Sequence, residues 1–210
     1  MLTLALSKGR ILEETLPLLE GAGIFLEEDP ATTRRLILGT KDGGLKILIL
    51  RAQDVPTYVA WGGADLGITG RDVLAEHGHT GLYVLEDLDI GRCRLMTAVK
   101  AEVDYEDFLA RQTRIRVATK YPELAQAHFT QKEIHVDLIK LYGSMELAPL
   151  TGMADVIVDL VSTGKTLREN GLKAVECLLE VNACLIANKT AFKTRHKPLK
   201  QLAHMFRKKL

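Results

Sequence analysis

Cysteine is scarce in this 210-residue chain: Cys93, Cys177 and Cys184 are its only thiols. An odd number with no C-x-x-C pair excludes a disulfide framework and a zinc knuckle, and is expected of structural, reduced thiols beside apolar runs. No apolar run approaches the roughly 20 residues that span a bilayer. The opening Leu2-Thr3-Leu4-Ala5-Leu6 is too short for a signal h-region and lacks a basic n-region, so the expected address is the cytoplasm. Seventeen glycines and six prolines are too few for a collagen-like or low-complexity chain. One charge sign is missing locally: residues 193–210 hold Lys193, Arg195, Lys197, Lys200, Arg207, Lys208 and Lys209 and no acid. The other 21 Lys and Arg face 27 Asp and Glu, a net of −6. A mildly acidic body with a basic tail makes neither a nucleic-acid surface nor a membrane anchor. Pro198, Leu199, Leu202, Ala203, Phe206 and Leu210 make the tail a helix with one apolar stripe, expected to dock on its own lobe or on a partner.

What remains is an ordinary soluble composition, 47% hydrophobic and 26% charged, long enough for one large domain or two small lobes. The pattern favours two lobes. Residues 2–6 read as a strand, followed by Ser7-Lys8-Gly9-Arg10 and a helix striped by Ile11, Leu12, Leu16, Leu18 and Leu19 that Gly21 and Gly23 stop. Strands follow at 36–38 and 45–50 around Lys41-Asp42-Gly43-Gly44. A helix then runs from about Asp54, its expected N-cap, to Trp61, with Tyr58 and Trp61 expected in the core. Ala64-Asp65-Leu66-Gly67-Ile68-Thr69-Gly70 is a short buried strand. The second half repeats this order with strands at 115–119 and 134–141, helices after Lys120-Tyr121-Pro122 and near 144–150, and the strand Ala154-Asp155-Val156-Ile157-Val158-Asp159. Extended stretches at 83–100 and 173–188 cross between halves. The expected fold is α/β, two lobes around a cleft. One lobe is 1–91 with 184–210, the other 92–183, with ligands at the carboxyl ends of strands.

The most informative segment is Asp159-Leu160-Val161-Ser162-Thr163-Gly164-Lys165-Thr166-Leu167. A buried strand enters a turn of small hydroxyl residues and glycine, then a helix. Backbone N–H groups, the helix dipole and the hydroxyls favour a phosphate, and Gly164 lets the backbone approach it. It is not a P-loop, because Asp159 stands where that motif needs glycine. A well-capped helix start without a ligand is the bland alternative. Cations at strand ends (Lys8, Arg10 and Arg51) weigh against it, since polyphosphate must be neutralised. The six histidines lack metal spacing, and His77-Gly78-His79 reads as a solvated helix end.

These motifs resemble the ATP phosphoribosyltransferases, specifically their short form. The densest match is Glu146, Gly152, Ala154, Ile157, Asp159-Leu160 and Thr163-Gly164-x-Thr166-Leu167. It is joined by Ala5-Leu6-Ser7-Lys8-Gly9-Arg10, Leu50-Arg51-Ala52-Gln53-Asp54-Val55-Pro56, residues 64–70 and Lys140-Leu141-Tyr142-Gly143-Ser144-Met145-Glu146. The resemblance implies a fold similar to type II periplasmic binding proteins, ATP and phosphoribosyl pyrophosphate as substrates, and Mg²⁺ carried mainly on their phosphates. It further implies a homodimer within a hetero-oligomer with a histidyl-tRNA-synthetase-like regulatory subunit. On that footing Ser162, Thr163, Gly164, Lys165 and Thr166 are expected to take the 5-phosphate. Glu146 and Asp159 are expected at the ribose hydroxyls, though helix capping is equally open for Asp159. Lys8, Arg10 and Arg51, with Ser7, Gly9, Thr69 and Gly70, are expected at ATP and the departing pyrophosphate. Tyr121 is placed either against adenine or in the core. The rival reading is a two-lobed anion- or nucleotide-binding module without catalysis.

Overall fold

Alternating apolar residues with β-branched partners make strands here, and the computed structural model, which describes residues 1–78 and 81–207, lays them out twice to one plan. In chain order the elements are β1 (Leu2–Ser7), α1 (Arg10–Gly21), β2 (Ile37–Gly39), β3 (Leu45–Leu50), a 3₁₀ turn (Ala52–Asp54), α2 (Val55–Ala60), β4 (Leu66–Gly70), α3 (Arg71–His77) and β5 (Leu82–Lys100). They continue as α4 (Tyr105–Ala110), β6 (Arg114–Thr119), α5 (Pro122–Gln131), β7 (His135–Lys140), α6 (Leu147–Leu150), β8 (Val156–Val161), α7 (Lys165–Glu169), β9 (Leu172–Asn188), α8 (Lys189–Thr194) and α9 (His196–Arg207). The chain divides into one unit of Met1–Arg92 with Asn182–Leu210 and a second of Cys93–Val181, the breaks falling within β5 and β9.

In the first unit β1 lies between β3 and β4, parallel to both, and β4 pairs antiparallel with β9. In the second, β6 lies between β7 and β8, again parallel, and β8 pairs antiparallel with β5. Period-2 alternation sends side chains to both faces of each sheet. In the first unit Leu4, Leu6, Ile47 and Ile68 join one apolar cluster with Phe206 and Leu199 of α9, while Ala5, Leu48, Cys184 and Ile186 join another with Val55 and Val59 of α2. In the second, Val117, Val156 and Val158 pack with Phe129 of α5, and Ala118 and Ile157 with Ala148 and Leu167. Both faces of each sheet are therefore covered, as parallel strands require. The basic tail is accounted for in the same way: its apolar stripe is core, and Arg207 grips Glu86. Leu210, Lys208 and Lys209 lie outside the described residues.

The repeated Ala-Asp step has a structural cause. The backbone N–H of Asp65 donates to the Thr3 carbonyl, and its Oδ2 accepts the Thr3 N–H at 2.9 Å. Asp155 makes the same pair of bonds with Arg116, its Oδ2 accepting that N–H at 2.8 Å. Each aspartate thus clips the start of its strand to the neighbouring one, and each is held by a guanidinium, Arg195 at 2.9 Å and Arg116 at 2.7 Å. The Arg116 hydrogen bond keeps the Asp155 carboxyl below its ordinary pKa despite partial burial. Asp155→Ala should cost about 0.5–1.5 kcal/mol, because the exposed Arg116 N–H exchanges its carboxylate acceptor for water. A depressed folded pKa means the wild-type carboxylate contributes fully above about pH 5, beyond the unfolded value near 4, and loses its contribution as pH falls through the lowered folded value. Denaturant melts of both proteins should therefore converge in acid. A gap independent of pH would remove the charge from this account.

Candidate active site

Within the second unit, β8 is buried through Val158 and emerges at Asp159 and Leu160. A pocket of about 200 Å³ opens there, lined by Glu146, Asp159, Ser162, Thr163, Gly164, Lys165 and Thr166 over an apolar floor that includes Met96, Ala98 and Ile157. Sequence positions 146 and 162 thus meet at one site. Gly164 has φ +71°, a left-handed conformation natural to glycine, and precedes the five residues of α7. Thr163 Oγ1 accepts the Lys165 N–H at 3.3 Å, and Arg168 Nη1 donates to the Thr163 carbonyl at 3.1 Å. Glu146 stands at the start of α6 without capping it, and Gly164, at the start of α7, has no side chain to cap with. Asp159 Oδ1 accepts the adjacent Leu160 N–H at 2.8 Å. Lys165 Nζ lies 3.7 Å from Glu169, an exposed pair that contributes little to stability.

The first unit presents its candidates at the carboxyl edge of β3, β1 and β4. Ser7 is level with Leu50, and the Lys8 N–H donates to the Leu50 carbonyl at 2.9 Å, so Lys8 and Arg51 leave adjacent strands side by side. Both side chains are exposed. Gly9 turns the chain with φ +86° into α1. Arg10 is engaged: its Nε lies 2.7 Å from Glu14, and its Nη2 donates to the Arg92 carbonyl at 2.7 Å. Glu14 also accepts the Gly91 N–H, which with Arg10 lowers its pKa. Ser7 and Thr69 are buried, and the Thr69 hydroxyl has no hydrogen-bond partner among the described residues. Gly70 answers to packing, since a Cβ there would lie 2.1 Å from Asp72 Oδ1.

A family model described as HisG, ATP phosphoribosyltransferase, matches residues 51–208. The chain belongs to the ATP phosphoribosyltransferase family. An ATP phosphoribosyltransferase of Neisseria meningitidis serogroup C is 56% identical over 205 residues, 98% of this chain and 94% of that one, as a short-form relative should be. The ATP phosphoribosyl transferase (HisG:HisZ) complex from Thermotoga maritima contains a chain of the same fold, with TM-score 0.83 and 30% identity over 99% of this chain and 98% of that one. The periplasmic aliphatic sulphonate binding protein SsuA from Escherichia coli is alike in fold alone, with TM-score 0.64 and 15% identity over 98% of this chain and 70% of that one. The family match decides against the rival binding module, whose fold this enzyme family shares.

Several expectations need correcting. Tyr121 is 2% exposed and sits in the core with Phe129 and Val117, so of its two readings the packing one holds. Trp61, at 87% exposure, and Tyr58 are surface residues rather than core, because α2 ends at Ala60 and leaves the indole past its last turn. Asp54 occupies the position before α2 but makes no capping bond. Cys177 is exposed, so only Cys184, whose thiol burial pushes up to about 12, fits the structural reading fully. The His77 Nδ1 is buried without a partner among the described residues, unlike a solvated cap, and His79 lies outside them. Sequence reasoning missed Arg168. Its only signal was position, one residue past the end of the loop motif. No helix among the described residues is long and apolar enough to cross a membrane, and none of their His, Cys, Asp and Glu clusters into a group able to hold a metal ion.

Proposed function

We infer that the chain transfers the phosphoribosyl group of phosphoribosyl pyrophosphate to N1 of the ATP adenine, releasing pyrophosphate, the first step of histidine biosynthesis. The observation that carries the site assignment is the pocket joining Glu146 and Asp159 to the Ser162–Thr166 loop. The loop takes the 5-phosphate on backbone N–H groups and hydroxyls. The two carboxylates accept hydrogen bonds from the ribose hydroxyls, a neutral donor group that suits an anionic acceptor. ATP and the leaving pyrophosphate belong to the Lys8, Gly9, Arg10 and Arg51 edge of the other unit, where Arg10 must exchange the Arg92 carbonyl for phosphate oxygens.

N1 of adenine carries its own lone pair, so no side-chain nucleophile is required. The bond from N1 to the anomeric carbon forms as the bond to pyrophosphate breaks, inverting that carbon. The chain's work is alignment of two polyanions and stabilisation of charge gathering on the leaving group. Mg²⁺ would ride mainly on substrate phosphates and water, neutralising their charge, and Glu146 and Asp159 are the carboxylates that line the pocket. By likeness to the HisG:HisZ complex from Thermotoga maritima, the chain works within a hetero-oligomer; the family resemblance adds that catalytic chains pair as dimers, that the partner is regulatory and that the assembly is cytoplasmic. The test is to mix the protein with ATP and phosphoribosyl pyrophosphate, alone and with the regulatory partner, recording pyrophosphate and the ultraviolet absorbance of the N1 adduct. Binding of either compound without adduct under both conditions would return the chain to the receptor reading.

A further inference from the structure

An anion cradle made of backbone works only while its peptides face the right way. A trans peptide is planar, so the Thr163 carbonyl and the Gly164 N–H point in opposite directions. Whatever fixes the one fixes the other. Gly164, with φ +71° and no Cβ, leaves this peptide little intrinsic resistance to turning over. A flip would present a carbonyl oxygen where an N–H stood, replacing attraction for a phosphate by repulsion. Arg168 opposes that flip. Its Nη1 donates to the Thr163 carbonyl at 3.1 Å, reaching back from five residues along the chain, while its own N–H donates to the Gly164 carbonyl at 3.2 Å. The guanidinium lies over the glycine, 3.1 Å from where a Cβ would stand. Thr163 is held from a second side by the Lys165 N–H on its hydroxyl. The loop is otherwise exposed, with Ser162, Thr163, Lys165 and Thr166 all on the surface, so neighbouring packing does not supply this constraint.

We propose that Arg168 is a positioning residue for the phosphoribosyl donor: by holding the Thr163 carbonyl it keeps the Gly164 N–H turned to the 5-phosphate. This rests on the assignment of the Ser162–Thr166 loop to that phosphate. Arg168 acts through the peptide, so its effect is on donor affinity and not on the chemical step. It also gives Gly164 a second reason to be glycine, since the guanidinium occupies the space a side chain would need.

Arg168→Ala should raise KM for phosphoribosyl pyrophosphate about tenfold, with KM for ATP and saturated kcat changed less than about twofold. Arg168→Lys, which keeps one donor and the charge, should recover much of the loss, and free guanidinium should partly rescue the alanine variant. In the unliganded protein the Gly164 amide resonance should move in Arg168→Ala and return toward its original position in Arg168→Lys. Thr166→Val is the companion arm. If it raises KM for the donor while Arg168→Ala does not, the loop binds phosphate but the peptide lock is wrong. If neither variant changes KM, the loop assignment fails and the lock with it. A parallel fall in kcat and in affinity for both substrates, with a lower Tm that Arg168→Lys also shows, would mark general structural damage and overturn the proposal.

Discussion

Gly164→Val is expected to weaken binding of phosphoribosyl pyrophosphate at least about a hundredfold while leaving ATP affinity within about threefold. Two costs act together. At φ +71° a β-branched residue is strained by about 1–2 kcal/mol relative to glycine. The new Cβ would also stand 3.1 Å from Arg168 Nη1, so either the guanidinium leaves the Thr163 carbonyl or the turn opens. Both outcomes disturb the N–H groups assigned to the phosphate, and a hydrogen bond to an anion is roughly twice as strong as one between neutral groups. The loop is exposed, so the strain relaxes locally and Tm should fall only slightly. Calorimetric titration of each substrate separates the effects. Equal losses for ATP and the donor would mean that the bend supports the whole protein rather than one ligand.

The repeat was legible because it is written in local chemistry. Alternating apolar runs gave β1, β3, β6 and β8 within a residue or two, and the shared Ala-Asp step marked a clip that the structure builds twice, at Asp65 and Asp155. The pocket was partly legible: the glycine and hydroxyls of 162–166 are contiguous, and family resemblance supplied Glu146. What the sequence hid was direction. Tyr58 and Trp61 sit one turn apart, which says they share a face but not which face, and a six-residue helix is too short for a stripe to decide. Tyr121 lies at a strand's carboxyl end, where ligand and core readings compete, and only packing against Phe129 separates them. Arg10 looked like an available cation because its second partner, the Arg92 carbonyl, is 82 residues away. An arginine on an exposed helix surface reads as a solvated charge, and so Arg168 was passed over.

Arg10's engagement shifts weight onto Arg51, and Arg51→Ala should lower the single-turnover rate of chemistry by about 10²–10³-fold. The magnitude is that of removing one preorganised donor from a site where negative charge develops, about 3–4 kcal/mol of transition-state stabilisation. Arg51 follows β3 in an extended conformation, φ −73° and ψ 146°, at the entry to the 3₁₀ turn. Its exposed side chain enters none of the ion pairs formed by the described residues, so it is spared the desolvation and partner exchange that Arg10 must undergo. For the same reason its removal should leave folding stability within about 0.5 kcal/mol. Arg51→Lys should restore only part of the rate, because a point charge replaces the planar fork that grips two phosphate oxygens at once. The effect should appear in the chemical step more than in ATP affinity, since the charge it meets grows as pyrophosphate departs. Rapid-quench measurement of pyrophosphate formation under saturating substrates reads this directly, and an unchanged rate would leave Arg51 as a binding cation only, with the leaving group stabilised from elsewhere.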